Sequence, residues 1–418
     1  MDLEKLLSKS LNAKQTSLLQ QVANVCANEN MSVYLVGGAV RDTLLGLPVQ
    51  DIDLVVEGNA QLLALLLAKK LGGKVKSHPH FDTASLTAKG VQVDLATARK
   101  EIYPQPGALP EVSHSHILDD LKRRDFSINT MAIPIGSHAN LEIIDVHDGL
   151  YDLQNKIIRI LHDQSFADDP TRMLRGVRYE QRLAFYFDKH TEESISANLH
   201  LLPYVSGERL IKEFYKWYIE ENPPTIIQRA DDLQILKSIH QSLDGIGQIL
   251  EAIGRESDIS KLDTNTWLGL MFHRSELKQM KELQKVLTFS SAQLRLIREV
   301  IELHETHKAL KRKIQDRELY DLLCYSSSKS IEIHLILATN HILRANMQRF
   351  LNILRHTKTS LTGNDLLQMG IKKSPLIGSI LDSIRNARLN GSVTNLSLIH
   401  ILRCRRRLRC RSRWSPYH

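Results

Sequence analysis

Two short stretches in the first part of the chain carry residue types suited to phosphate chemistry: LVGGAVRD, Leu35 to Asp42, and DID, Asp51 to Asp53. Gly37 and Gly38 follow an apolar, β-branched run, so a strand would deliver them to a turn whose backbone N–H groups stay open. A helix starting near Ala39 would aim its positive end at the same place. Such a turn cradles a triphosphate; an ordinary tight turn would use the same glycines. In a strand beginning at Asp51, side chains alternate, so Asp51 and Asp53 share one face while Ile52 and Leu54 take the other. Two carboxylates at one spot suit two divalent cations about 3.5–4 Å apart, the arrangement used in in-line phosphoryl displacement. A solvated surface pair is the plain alternative. Asp94, inside VQVDLAT, is a third candidate carboxylate unless it lies at an edge or surface.

Two further groups add cations. In KRRDFSIN, 122 to 129, a helix would let Arg124 meet a phosphate and would put Asp125 and Asn129, four residues apart, on one face where they can grip a ribose. A solvated, salt-bridged helix face would use the same residues. In DDPTRMLRGVRY, 168 to 179, Pro170 suits the first position of a helix and Asp169 its cap. Arg172, Arg175 and Arg178 then recur every three residues along one stripe. Their mutual repulsion calls for an anion, a triphosphate or an RNA backbone, lying against them.

Taken in order, these motifs resemble those of the bacterial (class II) tRNA nucleotidyltransferase and poly(A) polymerase family: LVGGAVRD with DIDLV, then RRDFSINTMA, then DDPTRMLRGVRY. The similarity runs from about residue 33 to 183, and LTGNDLLQMGIKKSPLIGSILDSIRNARLNG, 361 to 391, is similar to the family's C-terminal helical pair. The resemblance implies that Asp51 and Asp53 hold Mg²⁺ and that Asp125 and Asn129 sense the ribose 2′-hydroxyl. It implies that Asp169 and Arg172 face the incoming base, and that Arg175 and Arg178, with Arg41 and Gly38, hold the nucleotide. One departure is visible: the CCA-adding enzymes usually carry Glu-Asp where this chain has Asp168 and Asp169. An arginine only donates and an ionised aspartate only accepts, which complements the Watson–Crick edges of cytosine and adenine and clashes with those of uracil and guanine. The expected activity is addition of CCA to the tRNA acceptor end from CTP and ATP. Poly(A) synthesis, addition of only A or only CC, and RNA binding by an inactive fold are the alternatives.

The elements that must position these residues change character along the chain. Up to about Arg159, short β-branched runs alternate with helical stretches: strands are expected at 32–36, 51–56, 82–88, 91–97, 141–146 and 157–161. From about Asp169 a 3.6-residue period takes over, as in ERLIKEFYKWYIEE, 208 to 221. The expected fold is an α/β nucleotidyltransferase domain with a mixed sheet, followed by an all-helical region. The expected segments are a helical extension at 1–30, a head at 31–160, a neck at 161–225 with nucleotide-selecting and RNA-binding helices, and a tRNA-binding body and tail at 226–395. Residues 99 to 116, with three prolines, are expected to form a loop. Phe214, Tyr215, Trp217 and Tyr218 fit core packing along an amphipathic helix better than RNA stacking.

Composition narrows the class without deciding it. At 418 residues, 42% hydrophobic and 24% charged, the chain has the balance of a globular protein of two or three domains. No apolar run approaches the roughly 20 residues of a membrane helix and no signal peptide opens the chain, so no membrane partner and a cytoplasmic address are expected. The net charge of +8 comes largely from seven arginines after residue 402; without them 48 basic residues face 47 acidic ones. That end, 396–418, reads like translated sequencing adapter and is expected not to be native. It also holds Cys404 and Cys410; Cys26 and Cys324 read as structural thiols, and His78 and His80 lack companions at metal-ligand spacing.

Overall fold

The computed structural model describes residues 2–78, 82–104, 110–136, 142–256, 259, 261–357 and 361–391. The chain divides into two compact units, one formed by Met1–Lys261 and Leu283–Thr288, the other by Leu262–Glu282 and the described residues from Phe289 onward.

The first unit opens with helices α1, Leu3–Ser10, and α2, Ala13–Asn28. A mixed sheet follows: β1, Ser32–Val36; β2, Ile52–Glu57; β3, Lys74–His78; β4, Thr83–Ala88; β5, Val91–Thr97. A separate ribbon pairs β6, Arg99–Ile102, with β7, Glu111–His114, before β8, Met131–Pro134, and β9, Ile144–Asp145, complete the main sheet. The strand order is β3-β4-β5-β2-β1-β8-β9. Every pairing in it is antiparallel except β2 with β5, whose register sets Asp53 beside Asp94. Of those central strands, β2 is buried on both faces over Leu54–Val56, whereas β5 alternates, with Val91, Val93, Leu95 and Thr97 buried and Gln92 exposed.

Two short helices link the strands: α3, Gly38–Leu44, between β1 and β2, and α4, Ala60–Leu71, after β2. In α4, Ala60, Leu63, Ala64 and Leu67 form the buried stripe that the i, i+3, i+4, i+7 spacing requires. Helices α5, Ile117–Lys122, and α6, Gly149–Gln154, lead out of the sheet. The remainder of this unit is helical: α7, Ser165–Asp168; α8, Thr171–Leu183; α9, Lys189–Asn198; α10, Gly207–Tyr218; α11, Pro223–Asp232; α12, Ile235–Ile239; α13, Ile246–Glu256. One small exception is a parallel pair, β10, Ile157–Ile158, with β11, Tyr186–Phe187.

The second unit packs α14, Thr264–Phe272, α16, Ser291–Leu310, α17, Asp316–Leu323, α18, Ser328–Leu337, and α19, His341–Asn352; α15, Met280–Val286, is shared between the two units. Its core gathers Leu303, Leu319, Ile331, Met347 and Phe350. Helices α20, Gly363–Gln368, and α21, Leu376–Leu389, close the described chain, with Arg385 of α21 donating to the Tyr320 hydroxyl at 2.8 Å.

Several sequence expectations need correction. Residues 99 to 116 are not a plain loop: Pro104 and Pro110 lie just outside β6 and β7, where missing N–H groups cost no ladder bond, and residues 105–109 lie outside the described residues. The stretch 157–161 gives only two strand residues, and they pair with β11 rather than with the main sheet. At 141–146 only Ile144–Asp145 is strand, with Leu141 outside the described residues. β3 was not anticipated, because KVKSH is largely exposed and lacks an apolar alternation. The basic end and His80 lie outside the described residues. The aromatics of α10 are core: Phe214, Trp217 and Tyr218 are buried, and the Trp217 indole donates to the Leu174 carbonyl at 3.1 Å.

Candidate active site

A cavity of about 520 Å³ in the first unit is walled on one side by the sheet and on the other by α8. Twelve of the thirteen residues singled out from the sequence line it: Gly37, Gly38, Arg41, Asp51, Asp53, Arg124, Asp125, Asn129, Asp169, Arg172, Arg175 and Arg178. Asp94 faces an adjoining depression that it shares with Asp53 and Arg124.

On the sheet side, β1 runs into Gly37, whose φ of 64° lies in the left-handed region that favours glycine. A Cβ there would also stand 2.9 Å from Arg124 Nη1 and would displace that guanidinium, so the backbone is what calls for glycine. The first-turn amides of α3 have no intrahelical acceptor and belong to residues on the cavity wall. Asp51 precedes β2 and is exposed; Asp53, within β2, is partly buried. Burial pushes the Asp53 carboxyl above its ordinary range, Arg124 opposes that, and Asp94 and Asp51 push it further up. Asp94 Oδ1 is buried without a hydrogen-bond partner. Crowded, under-compensated carboxylates of this kind are what a divalent cation would neutralise, so the residues present fit such an ion.

The second motif departs from the expected helix. α5 ends at Lys122, and Arg123 to Phe126 run through an irregular segment into a 3-10 turn, Ser127–Asn129. Asp125 and Asn129 still meet, because Asn129 Nδ2 donates to Asp125 Oδ1 at 3.0 Å across that turn. Arg41 Nη1 donates to Asn129 Oδ1 at 2.9 Å, and Arg175 stands 2.6 Å from Asp125 Oδ2. Burial would raise the Asp125 carboxyl; the Arg175 guanidinium and the Asn129 amide outweigh it and hold the group below the usual carboxylate range. Asp120 anchors the two preceding arginines, accepting from Arg123 Nη2 at 2.6 Å and from Arg124 Nη2 at 2.9 Å. Its burial is likewise outweighed, by Arg124 and then Arg123.

On the helix side, α8 starts one residue later than expected, with Pro170 in the N-cap position, and Asp169 just before it still serves the first turn: its Oδ1 accepts from the Thr171 amide at 3.0 Å and hydroxyl at 2.6 Å. The same oxygen accepts from Arg209 of α10 at 2.6 Å. Arg172 is buried, with Nη1 donating to Ser165 Oγ and Nη2 to the Arg123 carbonyl, each at 2.7 Å. The arginine stripe therefore does not need an external anion to exist. Arg175 is paired with Asp125, Arg178 lies 3.2 Å from Glu220, and Arg172 rests on neutral acceptors. The arginines were read along one helix, whereas their partners are four residues from three other stretches of the chain: Arg123 and Asp125, Ser165, and Glu220. Arg178 and Arg41 also lie over the Tyr179 ring, 4.9 and 5.2 Å from its centre. Asp168 is not on the cavity wall and stands 3.7 Å from His162 Nε2.

Sequence reasoning missed Arg99, Glu101, Tyr103, Arg123, Asp120 and Arg209. The Asp120 pairing was legible as i, i+3 and i, i+4 spacing to Arg123 and Arg124. Glu101, which accepts from Arg99, Tyr103 and Arg123 at 2.8, 2.7 and 2.8 Å, lay inside the stretch read as a loop. Arg209 carried no signal, because its partner is 40 positions away.

The comparisons with known proteins agree with this geometry. Residues 33–159 match the family model described as the poly A polymerase head domain, and 184–245 match the one described as the probable RNA and SrmB-binding site of polymerase A. The chain is 33% identical to an A-adding tRNA nucleotidyltransferase of Halalkalibacterium halodurans, over 93% of this chain and 92% of that protein. This chain belongs to the tRNA nucleotidyltransferase and poly(A) polymerase family. Within that family it is also 29% identical to a CCA-adding enzyme of Ligilactobacillus salivarius, over 87% of this chain and 89% of that protein. The structure of the Thermotoga maritima CCA-adding enzyme complexed with tRNA_CCA superposes with a TM-score of 0.75 at 30% identity, covering 97% of this chain and 98% of that one. This tRNA nucleotidyltransferase thus has a family-type head carrying the carboxylates and the glycine turn. Enzymes of this kind work with divalent metals. No helix among the described residues is long and apolar enough to cross a membrane.

Proposed function

We propose that this nucleotidyltransferase builds CCA on the 3′ end of tRNA from CTP and ATP, in the cytoplasm. The observation that carries the reading is the convergence on one nucleotide-sized cavity of Asp51 and Asp53, the Gly37–Gly38 turn, and the α8 face with Asp169 and Arg172. The tRNA 3′-hydroxyl oxygen gives up its proton to solvent and forms a bond to the α-phosphorus; the bond from that phosphorus to the bridging oxygen breaks, and pyrophosphate departs with the electron pair. Asp51 and Asp53 would hold Mg²⁺, with Asp94 supporting Asp53 from the neighbouring strand. When bound, Mg²⁺ lowers the pKa of the attacking hydroxyl and neutralises charge on the departing pyrophosphate.

The chain's own groups do the rest. The α3 amides at Gly38 and Ala39, with Arg41, Arg175 and Arg178, bind phosphate and ribose oxygens, and Asp125 with Asn129 reads the 2′-hydroxyl. Arg172 commits two of its five N–H groups to Ser165 and Arg123, which leaves three for a ring-nitrogen acceptor. Asp169 takes the exocyclic amino group. In this reading 31–160 is the catalytic head, 161–225 the selecting neck, and 226–395 holds the tRNA.

A second reading, addition of the terminal A alone, is favoured by the 33% identity to an A-adding relative. One assay separates them: purified protein, tRNA transcripts ending at the discriminator base, at C or at CC, each NTP singly and in pairs, and sequencing of product ends. CCA addition predicts two C residues and then one A on the shortest transcript. ATP incorporation restricted to the transcript ending in CC would replace it with A addition, and runs of A would indicate poly(A) synthesis.

A further inference from the structure

The second unit contains a cluster of imidazoles that nucleotidyl transfer does not use. His304 and His307 are three residues apart on α16, so both side chains lie on one helix face. His334 comes from α18, packed against it. One ring nitrogen from each of the three lies within 4.8 Å of the others. The rings of His307 and His334 are 4.5 Å apart between centres, and those of His304 and His307 4.8 Å. His273 of the segment after α14 stands beside His304, with ring centres 5.5 Å apart, outside the triad.

The hydrogen bonding fixes which atoms are available. His334 is fully buried, and its Nε2 lies 2.8 Å from the Val300 carbonyl, an acceptor only, so Nε2 carries the proton. Its Nδ1 must then present a lone pair, and that atom is buried with no hydrogen-bond partner. His307 Nε2 is buried and unpartnered as well. Buried ring nitrogens without partners cost free energy in a core, and two in one cluster need a reason.

We infer that His304, His307 and His334 form a site for a zinc-class divalent metal that ties α16 to α18. Ligand nitrogens around a tetrahedral Zn²⁺ sit about 2.0–2.1 Å from the ion, so the three must draw together slightly from their present spacing. The Val300 carbonyl supplies the outer contact that metal-bound imidazoles commonly have. His304 is exposed, which gives the ion a way in and leaves a coordination position open to water. The site is chemically distinct from the carboxylates of the head, which as hard oxygen ligands suit Mg²⁺.

The test is Co²⁺ titration of the full-length protein in excess Mg²⁺, followed by visible absorption, with Zn²⁺ competition and thermal unfolding alongside. We expect one equivalent of Co²⁺ to give the intense bands of a tetrahedral site, Zn²⁺ to abolish them, and Zn²⁺ to raise the unfolding midpoint. The exposed His304→Gln variant, which leaves the core intact, should lose the bands and the midpoint shift while its metal-free midpoint stays at the wild-type value. His307→Gln should do the same. Absence of tetrahedral bands in the wild type, or bands that persist undiminished in His304→Gln and His307→Gln, would overturn the assignment and leave the cluster as packing.

Discussion

The sheet wall and the helix wall of the cavity differ in how completely their charges are paired. On the sheet, Asp53 is crowded by Asp51 and Asp94 and pushed above its usual range, and Asp94 keeps a buried oxygen without a partner. On the helix, Arg175 meets Asp125 at 2.6 Å, Arg178 meets Glu220 at 3.2 Å, and Asp169 meets Arg209 at 2.6 Å. One wall carries charge that something outside the chain must balance. The other has paired most of its charge internally, with Arg172 held by neutral acceptors, and so holds its donors and acceptors in fixed positions. This division suits phosphoryl chemistry common to every nucleotide on the sheet, and choice among bases on the helix, where rigid placement decides discrimination.

The largest effect should come from breaking the sheet wall. Asp51→Ala or Asp53→Ala should reduce incorporation of CTP and ATP alike by about 1,000-fold or more, equivalent to about 4 kcal/mol of lost transition-state stabilisation. Single-turnover rates with each nucleotide, read beside circular dichroism, check this. Near wild-type turnover in a folded variant, or losses that differ strongly between CTP and ATP, would break the division between the walls.

A smaller and qualitatively different effect is expected on the helix wall. Asp169→Ala should admit UTP and GTP, narrowing discrimination by about 5- to 150-fold, since each mismatched donor or acceptor costs roughly 1–3 kcal/mol. Arg172→Ala should do the same with an added loss of stability, because its side chain also ties Ser165 to the Arg123 carbonyl. Competition among all four NTPs is the measurement. If capping were all that Asp169 did, Asp169→Asn would keep the α8 cap and select nucleotides as the wild type does.

The contrast between the walls also explains what the sequence disclosed. Gly37 with Gly38, and Asp51 with Asp53, are each local: one turn and a strand period of two make them legible, although an ordinary turn and a solvated pair fit the same spacing and the order of the motifs was needed to choose. Asp94 was legible as a carboxylate on a strand, while its neighbour was not, because the parallel pairing with Asp53 depends on a crossover through α4, β3 and β4. Asp125 and Asn129 were matched for a wrong reason, a helix that ends at Lys122, and a 3-10 turn restores their contact. The partners of Arg178, Arg172 and Asp169 were illegible, since Glu220, Ser165 and Arg209 come from separate segments that only tertiary packing unites.

Arg209 offers the finest test of whether pairing on the helix wall sets selectivity. Asp169 Oδ1 accepts from three donors: the Thr171 amide, the Thr171 hydroxyl and Arg209 Nη2. The first two come from the helix that Asp169 caps and would survive loss of the third. Removing the guanidinium takes away, among its contacts, the partly buried charge-assisted bond to Asp169, worth about 1.5–3 kcal/mol in gross terms, of which only the part that orients the carboxylate bears on the base. Arg209→Ala should therefore relax discrimination against UTP and GTP by roughly 2- to 10-fold, about 0.4–1.4 kcal/mol, and less than Asp169→Ala does. Arg209→Lys, which keeps the charge but not the planar donor pair, should fall between the two. In the double variant Asp169→Ala, Arg209→Ala, the second substitution should add nothing to the lost selectivity, because its effect passes through the carboxylate. An Arg209→Ala variant that slows all four nucleotides equally, or that adds fully to Asp169→Ala, would show that α10 supports the fold of the neck and not the reading of the base.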